Sequence, residues 1–179
     1  MISSTLKKWI GLPITCENPK TIFVGLIGGV GDLLAAAPSV AALKRKYPKA
    51  KLTFGVGDGI FFNTIKNDPN IDDFETPFSY NVWKKRYHRK TYREKYKEHD
   101  LVFLLDNGNR DWWKPQKHLL DIYAEKCGVT LEQRRPLIYL YDNDIQEAQN
   151  KLNELGISKN DKLMILSPET RSKKEMKEW

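Results

Sequence analysis

The sequence has 179 residues with a net charge of +7, and 40% of its residues are hydrophobic and 30% charged. These values are typical of one globular domain with its own core and exclude wholesale disorder, and no apolar stretch reaches the roughly 18 residues of a membrane span. The two cysteines, Cys16 and Cys127, lack metal-ligand spacing. This argues against a disulfide framework or a metal site and favours a cytoplasmic protein.

Residues 1–19 are predicted to form an N-terminal arm ahead of the domain. Lys7 and Lys8 precede an apolar run that is too short for the central part of a signal peptide. The apolar residues of the arm have roughly helical spacing, and such an arm can lie on a membrane surface. They are Ile2, Leu6, Trp9 and Ile10. The simpler alternative, a loose arm packed on the domain, is favoured.

Strands and helices are predicted to alternate over residues 20–168. Continuous apolar runs that end in glycines or polar loops are typical of strands buried on both faces, and apolar residues at helical spacing predict the helices between them. The predicted strands are 21–27, 51–56, 72–76, 101–105, 137–140 and 162–166. The predicted helices are 33–47, 60–66, 82–98, 113–127 and 142–155. This alternation predicts an α/β fold with a Rossmann-like, doubly wound and mostly parallel sheet.

Several helix ends carry local signals. Asp142 is a predicted N-cap, and Gly128 and Gly156 are predicted to end their helices. Pro38 lies inside the first helical pattern. It either kinks that helix or marks where the regular helix begins.

The turn at residues 28–32, with the sequence GGVGD, is the strongest functional signal. Glycines between a buried strand and a helix let the backbone approach a ligand closely, and a helix N-terminus favours anions. This turn, the Gly57 loop and the Asp106 loop are predicted to meet at the carboxyl edge of the sheet, where ligands bind. The spacing of the glycines does not match GxGxxG, and Asp58 lies too far along the chain to be the acidic residue of a dinucleotide site.

Asp32 has two interpretations, and they are compatible. As the N-cap of its helix, it would bond the first unpaired N–H groups. As a carboxylate at the carboxyl edge, it can accept a proton from an acceptor hydroxyl as a general base.

Residues 24–52 contain, in order, Gly31-Asp32, Pro38, Ala42-Leu43-Lys44-Arg45 and Tyr47-Pro48. With these residues, the stretch resembles the opening of the bacterial ADP-heptose:lipopolysaccharide heptosyltransferases, glycosyltransferase family 9. The resemblance continues through 96–106, 118–128 and 163–179, and so covers most of the chain. The sequence departs from the family at Leu26, where members carry Arg or Lys, and at Gly28 and Gly29, where they often carry hydroxyl residues.

The resemblance implies the N-terminal, acceptor-side half of a GT-B enzyme, in which two Rossmann-like domains enclose the active site. It implies inverting, metal-independent transfer from a nucleotide sugar such as ADP-heptose, without a further cofactor, to a hydroxyl of an anionic glycolipid or saccharide. Asp32 matches the general base proposed for the family. The residues predicted to bind the acceptor are Gly28, Gly29, Gly31, Lys84, Lys85, Arg86, Arg89 and Arg110. His118 matches a recurrent family histidine, although a packing or capping role fits it equally.

The positive charge is concentrated between Val82 and His99, which hold eight lysines and arginines against two glutamates. The resemblance favours binding of the carboxylates and phosphates of a lipopolysaccharide core, and arginine suits bidentate capture of such groups. Peripheral contact with the inner membrane would follow from the same chemistry. A solvated helix face is the second interpretation. Nucleic-acid binding, with bases stacked on the interleaved tyrosines, is the least favoured.

Residues 169–179 resemble the start of the family's nucleotide-binding half. In the family, a lysine shortly before a tryptophan contacts the donor phosphates. Lys177 fits that spacing best, and Lys174 is the second candidate. Because the rest of a second Rossmann-like domain is absent from this sequence, the 179 residues alone are expected to be inactive. The alternative function is a non-catalytic Rossmann-like module that binds polyanions, and a nicotinamide-dependent oxidoreductase is a weaker alternative.

Overall fold

The computed structural model describes residues 16–26, 28–78, 96–105 and 117–166. The chain divides into two compact units, Met1–Tyr139 and Leu140–Trp179. The domain limits predicted from the sequence, at residues 19 and 168, stay predictions. No helix within the described ranges is long and apolar enough to cross a membrane.

The first unit contains a four-stranded parallel sheet. Its strands are β1 (Thr21–Leu26), β2 (Lys51–Gly55), β3 (Asp73–Glu75) and β4 (Leu101–Leu105), and they lie in the order β3-β2-β1-β4. Every pairing is parallel, and the register sets Val24 beside both Phe54 and Phe103. A Rossmann sheet begins with this strand order. The predicted α/β class and the first four predicted strands are confirmed.

One face of the sheet carries the main core. Three helices pack on it, namely α1 (Val30–Lys46), α2 (Ile60–Ile65) and α3 (Leu119–Cys127). Successive residues of a strand point to opposite faces, and alternate residues of β1 therefore face these helices. On the opposite face the ring of Phe23 stacks on that of Tyr96, with 4.0 Å between their centroids. The second face thus has its own aromatic cluster.

Helix α1 continues through Pro38. A proline has no N–H to bond the carbonyl four residues earlier, which here belongs to Leu34. That carbonyl accepts the backbone N–H of Leu137 instead, at 3.2 Å. Pro38 is therefore not the start of the regular helix, and the carbonyl that it leaves unbonded attaches the segment at residue 137.

The predicted strands at 137–140 and 162–166 are wrong, because neither segment forms a strand. Leu137 pairs with a helix carbonyl rather than with a neighbouring strand. From Leu163 to Leu166 the side chains are between 52% and 82% exposed. The apolar runs led us to expect burial, but an apolar run becomes a strand only where another strand can pair with its backbone.

Two predicted helix starts also need correction. Helix α3 begins at Leu119 rather than near residue 113, because His118 is its N-cap. In the second unit, α4 spans Asp142–Glu154, and its N-cap is Tyr141 rather than Asp142. The carboxylate of Asp144 accepts the N–H of that N-cap at 2.8 Å. Gly128 ends α3 in the left-handed conformation, as predicted.

Candidate active site

The carboxyl edge of the sheet has a topological switch point between β1 and β4. The chain passes from β1 to β2 on one side, whereas β4 lies on the other side. In open α/β sheets, connections that leave in opposite directions create a crevice beyond the carboxyl ends of the strands, and ligands bind there. The turn at 28–32 follows β1 directly and therefore lies at this crevice. The Gly57 loop follows the neighbouring β2 at the same edge, as predicted.

Asp32 is the third residue of α1, not its N-cap. Gly29 is the N-cap, and the first helical residue is Val30. The Asp32 carboxylate folds back along the turn and accepts the backbone N–H of Gly29 through Oδ2, at 2.6 Å. Asp32 therefore lies inside the first turn of α1 rather than at its N-cap. It still makes a capping bond, because a side chain at the third helical position can bond the backbone N–H of the N-cap residue.

The second carboxylate oxygen of Asp32 is bonded from another helix. The hydroxyl of Tyr123, on α3, donates to Oδ1 at 3.3 Å. Tyr123 is fully buried, whereas Asp32 is half-buried and the glycines of its turn are exposed. The carboxylate is therefore held on both sides at a place that solvent and ligands can reach.

Gly28 is required by the position of Asp32. A Cβ at residue 28 would lie 2.5 Å from the Cβ of Asp32 and 2.6 Å from its Cγ. At Gly31 a Cβ would meet nothing within 4 Å. Gly28 thus allows the backbone to lie close to the Asp32 side chain, in addition to the close approach to a ligand that the sequence predicts. Acceptor binding by Gly28, Gly29 and Gly31 stays a prediction.

The predicted charged contacts and the Asp106 loop lie outside the described residues. These contacts are Lys84, Lys85, Arg86, Arg89, Arg110, Lys174 and Lys177. The residues on either side of 79–95 are both buried, Phe78 and Tyr96. The Tyr96 hydroxyl donates to Glu75, the last residue of β3, at 2.5 Å. Phe78 and Tyr96, which flank residues 79–95 in sequence, thus both belong to the aromatic cluster around Phe23.

His118 has the capping role that the sequence allowed. Its Nδ1 accepts the backbone N–H of Leu120 at 3.3 Å and so satisfies one of the unpaired N–H groups of α3. Sequence reasoning missed Tyr123, which lies on the buried side of the same helix. The available signal was general, because a buried tyrosine hydroxyl usually finds a polar partner, but no local pattern identifies Asp32 as that partner.

No family model matches the sequence, and no curated protein matches it significantly. Among solved structures, a glycosyl transferase of family 9 from Veillonella parvula DSM 2008 is similar, with a TM-score of 0.58 and 18% identity over 81% of this chain. E. coli ADP-heptose lps heptosyltransferase II has a TM-score of 0.47 and 12% identity over 78% of this chain.

The chain spans about half the length of these two proteins, 52% of the first and 51% of the second. At this level of identity the first likeness establishes the fold. The described chain has the fold of about half of a family 9 glycosyl transferase. The resemblance found in the sequence is confirmed at that level.

Proposed function

We propose that this chain is the acceptor-side half of an inverting glycosyltransferase in which Asp32 is the general base. The observation that carries the proposal is the position of the Asp32 carboxylate at the switch point, with one oxygen bonded to Gly29 and the other to Tyr123. A general base must be fixed within hydrogen-bond reach of the proton that it removes. The fold likeness to a family 9 glycosyl transferase supports the reaction class.

In the proposed reaction, the acceptor hydroxyl gives its proton to Asp32 while its oxygen attacks the anomeric carbon of the donor sugar. The bond from that carbon to the nucleoside diphosphate breaks, and the diphosphate leaves with the electron pair. Attack from the face opposite the leaving group inverts the anomeric carbon. Asp32 forms no covalent bond to the sugar, and the mechanism assigns no step to a metal ion.

The proposed acceptor is an anionic glycolipid or saccharide of the lipopolysaccharide-core type. Its carboxylates and phosphates suit Arg110 and the lysines and arginines between Val82 and His99, since arginine can bond such groups at two points. The proposed donor is a nucleotide sugar such as ADP-heptose, with its phosphates on Lys177 and, as second candidate, Lys174. A second Rossmann-like domain would complete the GT-B site. We place this enzyme in the cytoplasm, in peripheral contact with the inner membrane.

The test is Asp32→Asn in the full-length protein, assayed for sugar transfer from ADP-heptose to a lipopolysaccharide core. General bases contribute about 10²- to 10⁴-fold to rates, so transfer should fall by at least ~100-fold while acceptor affinity is retained. Asp58→Asn is the matched control. It removes an exposed carboxylate from the loop after β2, at the same edge of the sheet, and should leave transfer unchanged.

Each alternative predicts a different result. Unchanged transfer by Asp32→Asn would refute the assignment of the base. A polyanion-binding module would show no transfer from any nucleotide sugar, and it would bind the lipopolysaccharide core equally well with or without the substitution. An oxidoreductase would bind NAD in a calorimetric titration.

A further inference from the structure

We infer that Tyr123 is a positioning residue that fixes the orientation of the Asp32 carboxylate, an inference that rests on the proposed role of Asp32. The terminal torsion of an aspartate has a broad energy profile, so one hydrogen bond restricts the carboxylate plane only weakly. The bond from Gly29 holds Oδ2 at 2.6 Å. The hydroxyl of Tyr123 supplies a second bond, at Oδ1, and the two bonds together restrict rotation about the Cβ–Cγ bond.

Tyr123 is well suited to hold another group because it is itself immobilised. Its side chain is 0% exposed and belongs to the main core between α1, α3 and the sheet. Helix α3 is fixed at both ends, by the His118 cap and by the left-handed Gly128. A hydroxyl on such a residue stays in place without a substrate, and preorganisation of this kind is what a fixed catalytic geometry requires.

The two bonds leave both carboxylate oxygens able to accept a further hydrogen bond. Oδ2 makes the 2.6 Å bond to a backbone N–H, and Oδ1 makes the 3.3 Å bond to the tyrosine hydroxyl. A carboxylate oxygen has two acceptor positions, so each oxygen keeps one for the proton of the acceptor hydroxyl.

The pair connects the two strands that flank the switch point. Asp32 belongs to the helix that follows β1, and Tyr123 belongs to the helix that follows β4, 91 residues later. Because α1 and α3 pack in the same core, their spacing determines the orientation of the carboxylate. A change in that spacing would alter catalysis without touching the substrate.

The test is Tyr123→Phe in the full-length protein, which removes only the hydroxyl. We expect kcat to fall by about 10- to 100-fold, the range that a small misplacement of a catalytic group produces, with KM unchanged for both substrates. Tyr139→Phe is the matched control. It removes the hydroxyl of a half-buried tyrosine that accepts a bond from Asn70 at 3.1 Å, and it should leave kcat unchanged.

A crystal structure of Tyr123→Phe supplies a readout that a merely structural role would not change. The inference requires that the Asp32 carboxylate turn away from its present orientation while α3 stays in place. Unchanged kcat overturns the inference, and so does a fall in kcat with Asp32 unmoved. Asp32→Asn, measured beside it, separates the two claims. If Asp32→Asn loses transfer and Tyr123→Phe does not, only the role of Tyr123 fails. If Asp32→Asn keeps transfer, both fail.

Discussion

The two edges of the sheet both carry aspartates, but the bonds that these aspartates make differ. At the amino edge, Asp100 accepts the backbone N–H groups of Lys20 at 2.7 Å and Thr21 at 3.0 Å, where β1 begins. At the carboxyl edge, Asp32 bonds one turn N–H and one tyrosine hydroxyl, beside the crevice of the switch point. Asp100 closes the start of a strand, whereas Asp32 lies at the carboxyl ends of the strands, the place where open α/β sheets bind ligands.

Asp72 is a second aspartate at the amino edge, and its bonds also hold the fold together. Asp72 accepts the N–H of Leu52 at 2.7 Å and pairs with the Lys44 ammonium at 2.6 Å. Burial alone would raise the pKa of Asp72, but these two partners lower it overall. The bonds from Lys20 and Thr21 likewise lower the pKa of Asp100. The lowered pKa of each of these two aspartates therefore comes from bonds at the amino edge of the sheet.

The largest effect is expected from Gly28→Ala, at the carboxyl edge. The added Cβ would lie 2.5 Å from that of Asp32, so the turn or the aspartate must move. Displacement of a catalytic group by about 1 Å costs about 100-fold in rate, and we expect a loss of transfer of that size. Overpacking should also lower the free energy of unfolding by about 1–3 kcal/mol in denaturant titrations.

Gly31→Ala is the paired substitution for the stability measurement. It lies in α1, where a Cβ would meet nothing within 4 Å, and alanine restricts the unfolded chain. The free energy of unfolding should rise by about 0.4–1 kcal/mol. If Gly28→Ala and Gly31→Ala changed the free energy of unfolding equally, Asp32 would not lie against Gly28.

Asp100→Ala tests the amino edge. It leaves the N–H groups of Lys20 and Thr21 without their acceptor, and the free energy of unfolding should fall by about 1–3 kcal/mol. The pKa of Asp100 is lower in the folded protein than in the unfolded chain. Its contribution to the free energy of unfolding is therefore complete above the pKa of the unfolded chain and is lost as pH falls through the pKa of the folded protein. The difference from wild type in urea titrations should therefore shrink in acid. A loss of transfer per folded molecule would contradict the distinction between the edges.

Asp68→Asn should have a smaller effect of the opposite sign. Asp68 is buried in the connection from α2 to β3, and its Oδ2 has no hydrogen-bond partner within the described ranges. Burial raises its pKa, and the bonds from Asn70 offset this only in part.

A raised folded pKa makes the ionised Asp68 a cost to the folded state. That cost is absent below the unfolded pKa and complete above the folded pKa. Asp68→Asn should therefore be more stable than wild type at neutral pH and should lose this advantage in acid. A stability difference between Asp68→Asn and wild type that grows as pH falls would contradict this prediction.

The smallest effect concerns thiol labelling, and it reports on the helix that carries Tyr123. Burial raises the pKa of the Cys127 thiol to about 12, whereas Cys16 is half-buried. Cys16 should react with a thiol reagent in the folded protein, and Cys127 only on unfolding. Protection of Cys127 in Tyr123→Phe would show that α3 is intact. Early labelling of Cys127 in wild type would contradict a rigid α3.

The sequence predicts the parallel sheet and the place of Asp32, because buried strands and glycine turns have local signatures. It places Asp32 at the wrong helix position, since Asp and Gly are both good N-caps and only the observed backbone distinguishes them. The partner Tyr123 depends on how two helices pack 91 residues apart, which no local pattern records. The apolar run at 162–166 predicts a strand that does not form, because pairing, unlike hydrophobicity, is not a property of one segment.

A crystal structure of the full-length protein with a bound lipopolysaccharide-core acceptor would test the central claim most directly. The distance that decides is the one from the acceptor hydroxyl oxygen to the nearer carboxylate oxygen of Asp32. We predict a separation of about 2.6–3.2 Å, with Tyr123 and Gly29 still bonded to the same carboxylate. An acceptor bound away from the carboxyl ends of β1 and β4, or a reacting hydroxyl bonded to a different base, would contradict it.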